Sequence, residues 1–266
     1  MSDRVWTSKG VVIPAVLSLA CASAGLLAWA GASAGAQVSE ASVTTLEAPS
    51  IATDAPAQPL VTPYLAATSL DSGVGTSGSG VARAWVSDMA ARTGIGDVAL
   101  AAYAGAALRI GTEQPTCTLG WTTLAAIGWV ESQHGTIDGN ALLPDGTTRT
   151  PILGPALDGG DGVGAHRAQS EDTAAHGNAE WDQAVGPMQF IGSTWRRWGA
   201  DGDDDGRTDR TDIDDAAYAA ARYLCADGHD LATGPGWTAA VRSYNHSDAY
   251  VASVLATADD YGARVG

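Results

Sequence analysis

From residue 119 onward the chain carries apolar residues at three- and four-residue spacing, the pattern of helices that bury one face. The residues of the first such stretch are Leu119, Leu124, Ile127 and Val130. We expect them to share one face of a helix, which Gly135 would end. Glu131 follows the last apolar position directly, so it is predicted in the final turn at the edge of this face.

Two further helices are predicted before this stretch. Residues 81–93 have helical periodicity and stop at Gly94. Residues 97–110 are rich in alanine, with Asp97 as a possible N-cap and Gly111 as the stop.

The C-terminal region predicts three more helices, over residues 212–226, 237–245 and 247–261. The first is strongly amphipathic, and the last begins at the N-cap Ser247 and stops at Gly262. The apolar face of the first consists of Ile213, Ala216, Ala217, Ala220 and Leu224. No segment alternates convincingly between apolar and polar residues, so we expect a mainly α fold.

The N-terminal third has a different character. Residues 11–30 carry no charge, so residues 1–36 are interpreted as a signal peptide or an uncleaved membrane anchor. Residues 37–80 are rich in Ala, Ser, Thr, Pro and Gly, which predicts a flexible linker. Residues 81–266 would then form one domain outside the cytoplasm, either tethered to the cell membrane or secreted to the cell wall.

Composition narrows the possible partners. The formal net charge of −16 argues against binding nucleic acid through its phosphates. Cys117 and Cys225 would form a disulfide in an exported protein, and the alternative is two buried free thiols. We expect a monomer.

Glu131 is the first candidate for chemistry. Its predicted place near the negative end of a helix, beside buried surface, would raise its pKa. A raised carboxyl pKa is what a general acid needs near neutral pH. The alternative is a solvated glutamate at a helix end.

A second cluster lies at residues 185–195. Gly186 and Pro187 predict a turn that leads into a short helix. Gln189 could hydrogen-bond a sugar amide or hydroxyl, although a buried turn would explain this pattern as well.

A third cluster, at residues 201–212, has the spacing of a calcium-binding loop. Acidic residues occupy its positions 1, 3, 5, 9 and 12, and Gly206 occupies position 6. The predicted ligands are Asp201, Asp203, Asp205, the backbone carbonyl of Arg207, and Asp212. The alternative is a solvated acidic loop.

These clusters occur in one order along residues 81–262, followed by Tyr244 and Asn245. In that order the chain resembles the B-type lytic murein transglycosylases, in their actinobacterial form. The resemblance implies a lysozyme-like helical domain that holds a structural Ca²⁺ and cleaves the glycan strand of peptidoglycan. Glu131 would be the sole acid and base. The product would be 1,6-anhydromuramic acid, formed without water.

The resemblance also implies the residues that contact substrate, which are Ser132, Met188, Gln189, Phe190, Tyr244 and Asn245. Two departures stand out. Gly192 replaces a proline common in the family, which should only loosen the turn. Residues 136–185 form a long irregular insertion relative to shorter members.

The insertion leaves an alternative activity open. One of its carboxylates could activate water, which would make the protein a lysozyme-type muramidase. The candidates are Asp158, Asp161, Glu171, Asp172, Glu180 and Asp182. A non-catalytic peptidoglycan-binding scaffold and a general calcium-binding surface protein are the remaining alternatives.

Overall fold

The computed structural model describes residues 80–160 and 164–266. The predicted signal peptide or anchor at 1–36 and all but the last residue of the linker at 37–80 lie outside the described residues. In the described part, no helix has both the length and the apolar character needed to cross a membrane.

The described part of the chain is mainly helical, as the sequence predicts. Its elements are α1 (Arg83–Thr93), α2 (Asp97–Glu113), α3 (Trp121–Ser132), a short 3-10 helix (Ile137–Gly139), β1 (Leu153–Ala156), α4 (Ser170–His176), β2 (Gln183–Val185), α5 (Gly192–Trp198), α6 (Ile213–Leu224), α7 (Gly234–Tyr244) and α8 (Asp248–Val265).

Helix α3 lies at the centre of the domain, in contact with α2, α6 and α8. Every residue from Trp121 to Gly128 is buried, so the prediction of a single apolar face is wrong. A helix that is apolar on all sides is expected to be enclosed on all sides. Gly128 permits the close approach of α2, because a Cβ there would lie 2.0 Å from the Tyr103 hydroxyl.

Two predicted helix ends are also wrong. Helix α2 continues through Gly111, and its last turn is held where Glu113 accepts hydrogen bonds of 2.6 and 2.7 Å from the Tyr218 hydroxyl. Helix α8 continues through Gly262, and Arg264 in its last turn donates to the Thr93 carbonyl at 2.8 Å. In both cases a tertiary contact outweighs the cost of a glycine inside a helix.

The insertion at 136–185 is not irregular, contrary to the sequence prediction. Strands β1 and β2 pair antiparallel, and α4 lies between them in the chain. Residues 140–150 form a hairpin-like loop in which Leu142 bridges Thr148. The pairing partners lie far apart in sequence, so local alternation gave no signal of a sheet.

Cys117 and Cys225 form a disulfide in this structure, with a Cα–Cα distance of 5.5 Å. The bond joins the segment before α3 to the C-cap of α6. It therefore links the two helices that precede and follow the insertion and the acidic loop.

Candidate active site

Glu131 lies in the last turn of α3 and opens into a cleft of about 590 Å³. Most of the cleft wall comes from the insertion. The lining residues are Glu131, Ile137, Asp138, Gly139, Asn140, Arg149, Thr150, Pro151, Ile152, Leu153, Gly154, Pro155 and Gln189. The insertion therefore shapes the surface that faces the Glu131 carboxyl group.

The environment of Glu131 favours its protonated form. Burial raises its pKa from 4.5 to about 7, against the opposing effect of a hydrogen bond from Tyr250. The Tyr250 hydroxyl donates this bond to Glu131 Oε1 at 2.6 Å. Burial and the nearby Glu131 also raise the pKa of the Tyr250 phenol, so it remains a donor.

Sequence reasoning missed Tyr250, although a local signal was present. Ser247 is the N-cap of α8, and its hydroxyl accepts from the Tyr250 amide at 3.4 Å. This cap fixes the first turn of α8, from which the buried Tyr250 side chain reaches Glu131. The predicted cap thus also positions a residue of the site.

The chain leaves α3 through three consecutive residues with positive φ, Gln133, His134 and Gly135. His134 Nδ1 lies 3.1 Å from the Tyr103 hydroxyl and Nε2 lies 2.8 Å from the Tyr261 hydroxyl. Burial lowers the pKa of His134 to about 4, so the imidazole is neutral at physiological pH. These contacts tie the end of α3 to α2 and α8.

Ser132 supports Glu131 and does not face the cleft. Its side chain is fully buried; the hydroxyl donates to the Pro187 carbonyl at 2.6 Å and accepts from the Gly135 amide at 2.8 Å. The predicted substrate contact by this side chain is therefore corrected to a structural role. Ser132 joins the catalytic candidate to the 186–190 turn.

The 186–190 turn presents one predicted residue to the cleft and buries two. Gln189 lines the cleft, and its side-chain amide donates to the Gly186 carbonyl at 2.9 Å. The side chains of Met188 and Phe190 are buried. The contact predicted at Met188 is through its backbone and stays a prediction, whereas burial argues against a contact by the Phe190 side chain. Tyr244 stabilises the turn, because its hydroxyl donates to the Met188 carbonyl at 2.7 Å.

Asn245 is exposed at the C-cap of α7 and does not line the cleft. Tyr244 is half-buried, and its ring packs against Phe190 with centroids 5.7 Å apart. Tyr244 therefore supports the 186–190 turn, and the structure brings only Gln189 and Glu131 of the predicted catalytic and substrate-binding set to the cleft surface.

Asp138 is the second carboxylate on the cleft wall. It lies in the 3-10 helix with φ of 56°, and its side chain is exposed. None of the described members of the predicted acidic set lines the cleft, which corrects that prediction; Asp161 lies outside the described residues.

Two of those acidic residues are instead buried in polar contacts. Asp172 accepts from Arg196 at 2.9 Å, and Asp182 lies 3.2 Å from Nε2 of the buried His176. Asp182 also accepts from the Gly192 amide at 3.0 Å. These contacts anchor α4 and β2 against α5.

Gly192 is required by this buried cluster. A Cβ at this position would lie 1.7 Å from an Asp172 carboxylate oxygen. A proline would also remove the amide that donates to Asp182. The expectation that glycine only loosens the turn is therefore wrong.

The acidic loop brings together a different set of carboxylates from the one predicted. Oxygens of Asp201, Asp203 and Asp215 lie within 4.8 Å of one another. The Asp212 side chain caps α6 by accepting from the Asp214 amide and is not part of this group. Asp205 is exposed and accepts from the Arg207 amide.

Asp215 reaches back into the loop from the first turn of α6. It accepts from the amides of Gly202 and Asp209, each at 2.6 Å. Burial, together with the charges of Asp203 and Asp201, raises its pKa to about 6 despite these bonds. Three converging carboxylates that disfavour each other's charge fit a hard cation such as Ca²⁺, which prefers oxygen ligands.

The hairpin at 140–150 connects the acidic loop to the cleft. Two residues of the hairpin bond the end of the acidic loop and the start of α6. The Thr148 amide donates to the Thr211 carbonyl, and the Gly146 carbonyl accepts from the Ile213 amide, each at 3.0 Å. The next residue of the hairpin, Arg149, lines the cleft. The order of the loop is thus coupled structurally to one wall of the site.

Comparison with known families gives one match. Residues 166–243 match the transglycosylase SLT domain family. The matched segment includes β2, the 186–190 turn, α5, the acidic loop, α6 and most of α7. Glu131 precedes the matched segment, which spans less than a third of the chain. Neither the curated proteins nor the solved structures gave a match.

Proposed function

We propose that this protein is a peptidoglycan lytic transglycosylase of the B type that uses Glu131 as its single catalytic acid and base. The observation that carries the proposal is a carboxyl group of pKa about 7 that faces a cleft and accepts a hydrogen bond from Tyr250. The match to the transglycosylase SLT domain supports the same class of chemistry and substrate.

In the proposed reaction, Glu131 first protonates the glycosidic oxygen between N-acetylmuramic acid and N-acetylglucosamine. The bond from the muramoyl anomeric carbon to that oxygen breaks. Glu131 then accepts the proton of the muramoyl 6-hydroxyl as this oxygen bonds to the same anomeric carbon. A group whose pKa is close to the working pH can serve in both steps.

A single carboxyl group suffices because the nucleophile belongs to the substrate. Intramolecular attack replaces the second carboxylate that most glycosidases need. Tyr250 would orient the Glu131 carboxyl, and Gln189, which lines the same cleft, would hydrogen-bond the sugar.

The alternative is a muramidase that activates water, and Asp138 is the observation that favours it. This exposed carboxylate lines the same cleft as Glu131. In a hydrolase it would act as the base that activates water in an inverting mechanism, or as the nucleophile in a retaining one.

Release of dye from labelled peptidoglycan by the full chain tests the class of enzyme. The Glu131→Gln variant should release no dye, and the Asp138→Asn variant should release it at a rate near that of the wild type. Loss of activity in Asp138→Asn would favour the muramidase. Full activity in Glu131→Gln, or none in the wild type, would reject the proposed enzyme and leave the scaffold interpretation.

We also propose that Ca²⁺ binds Asp201, Asp203 and Asp215 and has a structural role. The cation would neutralise the repulsion among these carboxylates and hold the acidic loop against the first turn of α6. The domain would act as a monomer outside the cytoplasmic membrane.

A further inference from the structure

One basic side chain lines the described cleft, and it is Arg149. The other charged residues of the lining are Glu131 and Asp138, so Arg149 provides the positive charge of this surface. Because the chain carries thirty acidic residues against fourteen basic ones, a cation facing the site is a distinctive feature.

The guanidinium of Arg149 has no ion pair or side-chain hydrogen bond with any residue that the structure describes. Two arginines of the insertion and its surroundings are paired. Arg167 contacts Glu180 at 2.9 Å, and Arg196 contacts Asp172 at 2.9 Å. The side chain of Arg149 is therefore available to a ligand in the cleft.

The backbone that presents Arg149 is fixed on both sides. Its amide donates to the Ala141 carbonyl at 2.8 Å. The Asn140 side chain accepts from the Thr150 amide at 3.2 Å and donates to the Thr150 carbonyl at 2.8 Å. A side chain that is unpaired on a fixed backbone can bind a ligand with little cost of ordering the loop.

We propose that Arg149 is an anion subsite that binds a carboxylate carried by the muramoyl unit of the glycan. This inference rests on the proposed function. In peptidoglycan the muramoyl unit bears a lactyl group, and N-acetylglucosamine bears no acid. The carboxylate comes either from the stem peptide attached to the lactyl group or, on stripped strands, from the lactyl group itself.

A guanidinium matches a carboxylate in charge and geometry, because two parallel N–H donors can meet its two oxygens. Binding at Arg149 would identify the muramoyl position among alternating sugars. It would thereby set the register in which Glu131 faces the bond on the reducing side of the muramoyl unit.

Binding to the inactive Glu131→Gln protein tests the subsite without any need for turnover. Arg149→Ala in this background should weaken a peptide-bearing muropeptide by about tenfold or more, since the lost bonds are charge-assisted. It should leave the affinity for a chitooligosaccharide, which has no carboxylate, within about twofold. Arg149→Lys should give an intermediate loss, because it keeps the charge without the planar fork.

The matched control is Arg197→Ala, which removes an exposed arginine that lies over Trp198 and outside the cleft. It should change neither affinity. Glycan strands stripped by an amidase separate the two sources of carboxylate. A loss in Arg149→Ala on intact ligand alone indicates the stem-peptide carboxylate, and a loss on stripped strands alone indicates the free lactyl carboxylate. A loss on both ligands indicates that the subsite accepts either carboxylate.

The subsite is rejected if Arg149→Ala and Arg197→Ala bind both carboxylate ligands alike. It is also rejected if Arg149→Ala weakens the chitooligosaccharide by the same factor. These outcomes differ from failure of the proposed enzyme, in which the wild type would cleave nothing while the binding differences could still be measured.

Discussion

Replacing Glu131 by glutamine should stabilise the protein at alkaline pH while it removes activity. Burial raises the pKa of Glu131 from 4.5 to about 7. The folded state therefore prefers the protonated carboxyl more strongly than the unfolded state does. The contribution of the protonated Glu131 carboxyl to stability is complete below the pKa that Glu131 has in the unfolded chain. It is lost as the pH rises through the pKa of Glu131 in the folded protein.

The size of the effect follows from the shift. Each pKa unit corresponds to about 1.4 kcal/mol, so the full shift is worth about 3 kcal/mol. The side chain is partly open to the cleft, and solvent screening reduces this value. We expect a gain between about 1 and 3 kcal/mol in the free energy of unfolding at pH ~8.5 and a difference near zero at pH ~4.

Urea unfolding of the full chain at these two pH values measures the difference between wild type and Glu131→Gln. Glu171→Gln is the matched control, because the Glu171 side chain is 73 % exposed. Equal differences at both pH values for Glu131→Gln would refute the reasoning. So would a gain of the same size in the control.

Three further outcomes are expected. Tyr250→Phe removes the hydrogen bond that lowers the pKa of Glu131, so the alkaline fall of the pH–rate profile should move to higher pH; an unchanged profile would contradict the assigned contact. Gly192→Ala should lose at least about 2 kcal/mol of stability, because its Cβ meets a buried carboxylate, whereas Gly111→Ala, with open space in α2, should gain up to about 1 kcal/mol. Calcium should raise the melting temperature of the wild type, because binding at a hundredfold excess over Kd adds about 2.7 kcal/mol to the free energy of unfolding, and Asp215→Asn should abolish the rise.

Features set by local sequence were predictable. Gly94 ends α1 with φ of 80°, and Ser247 caps α8, because both depend on neighbouring residues alone. The mainly helical fold followed from the same periodicity. Gly111 and Gly262 carried the same local stop signal, yet contacts from distant side chains extend both helices.

The candidate site was predictable only in part, for the same physical reason. Glu131 was found because its chemistry depends on one turn of one helix. Asp215, which converges with Asp201 and Asp203, was missed because the calcium-loop spacing selected Asp212, whose side chain caps α6. Tyr250 contacts Glu131, and Asp138 lines the same cleft as Glu131. Because these residues belong to separate elements, only the three-dimensional structure brings them together.

The most direct test of the central claim is the mass of the products that the full chain releases from peptidoglycan in water labelled with heavy oxygen. The proposed internal attack predicts anhydromuramoyl ends that are lighter by one water and carry no label, and no products from Glu131→Gln. Reducing muramoyl ends that carry the heavy oxygen would contradict the claim, because they require water as the nucleophile.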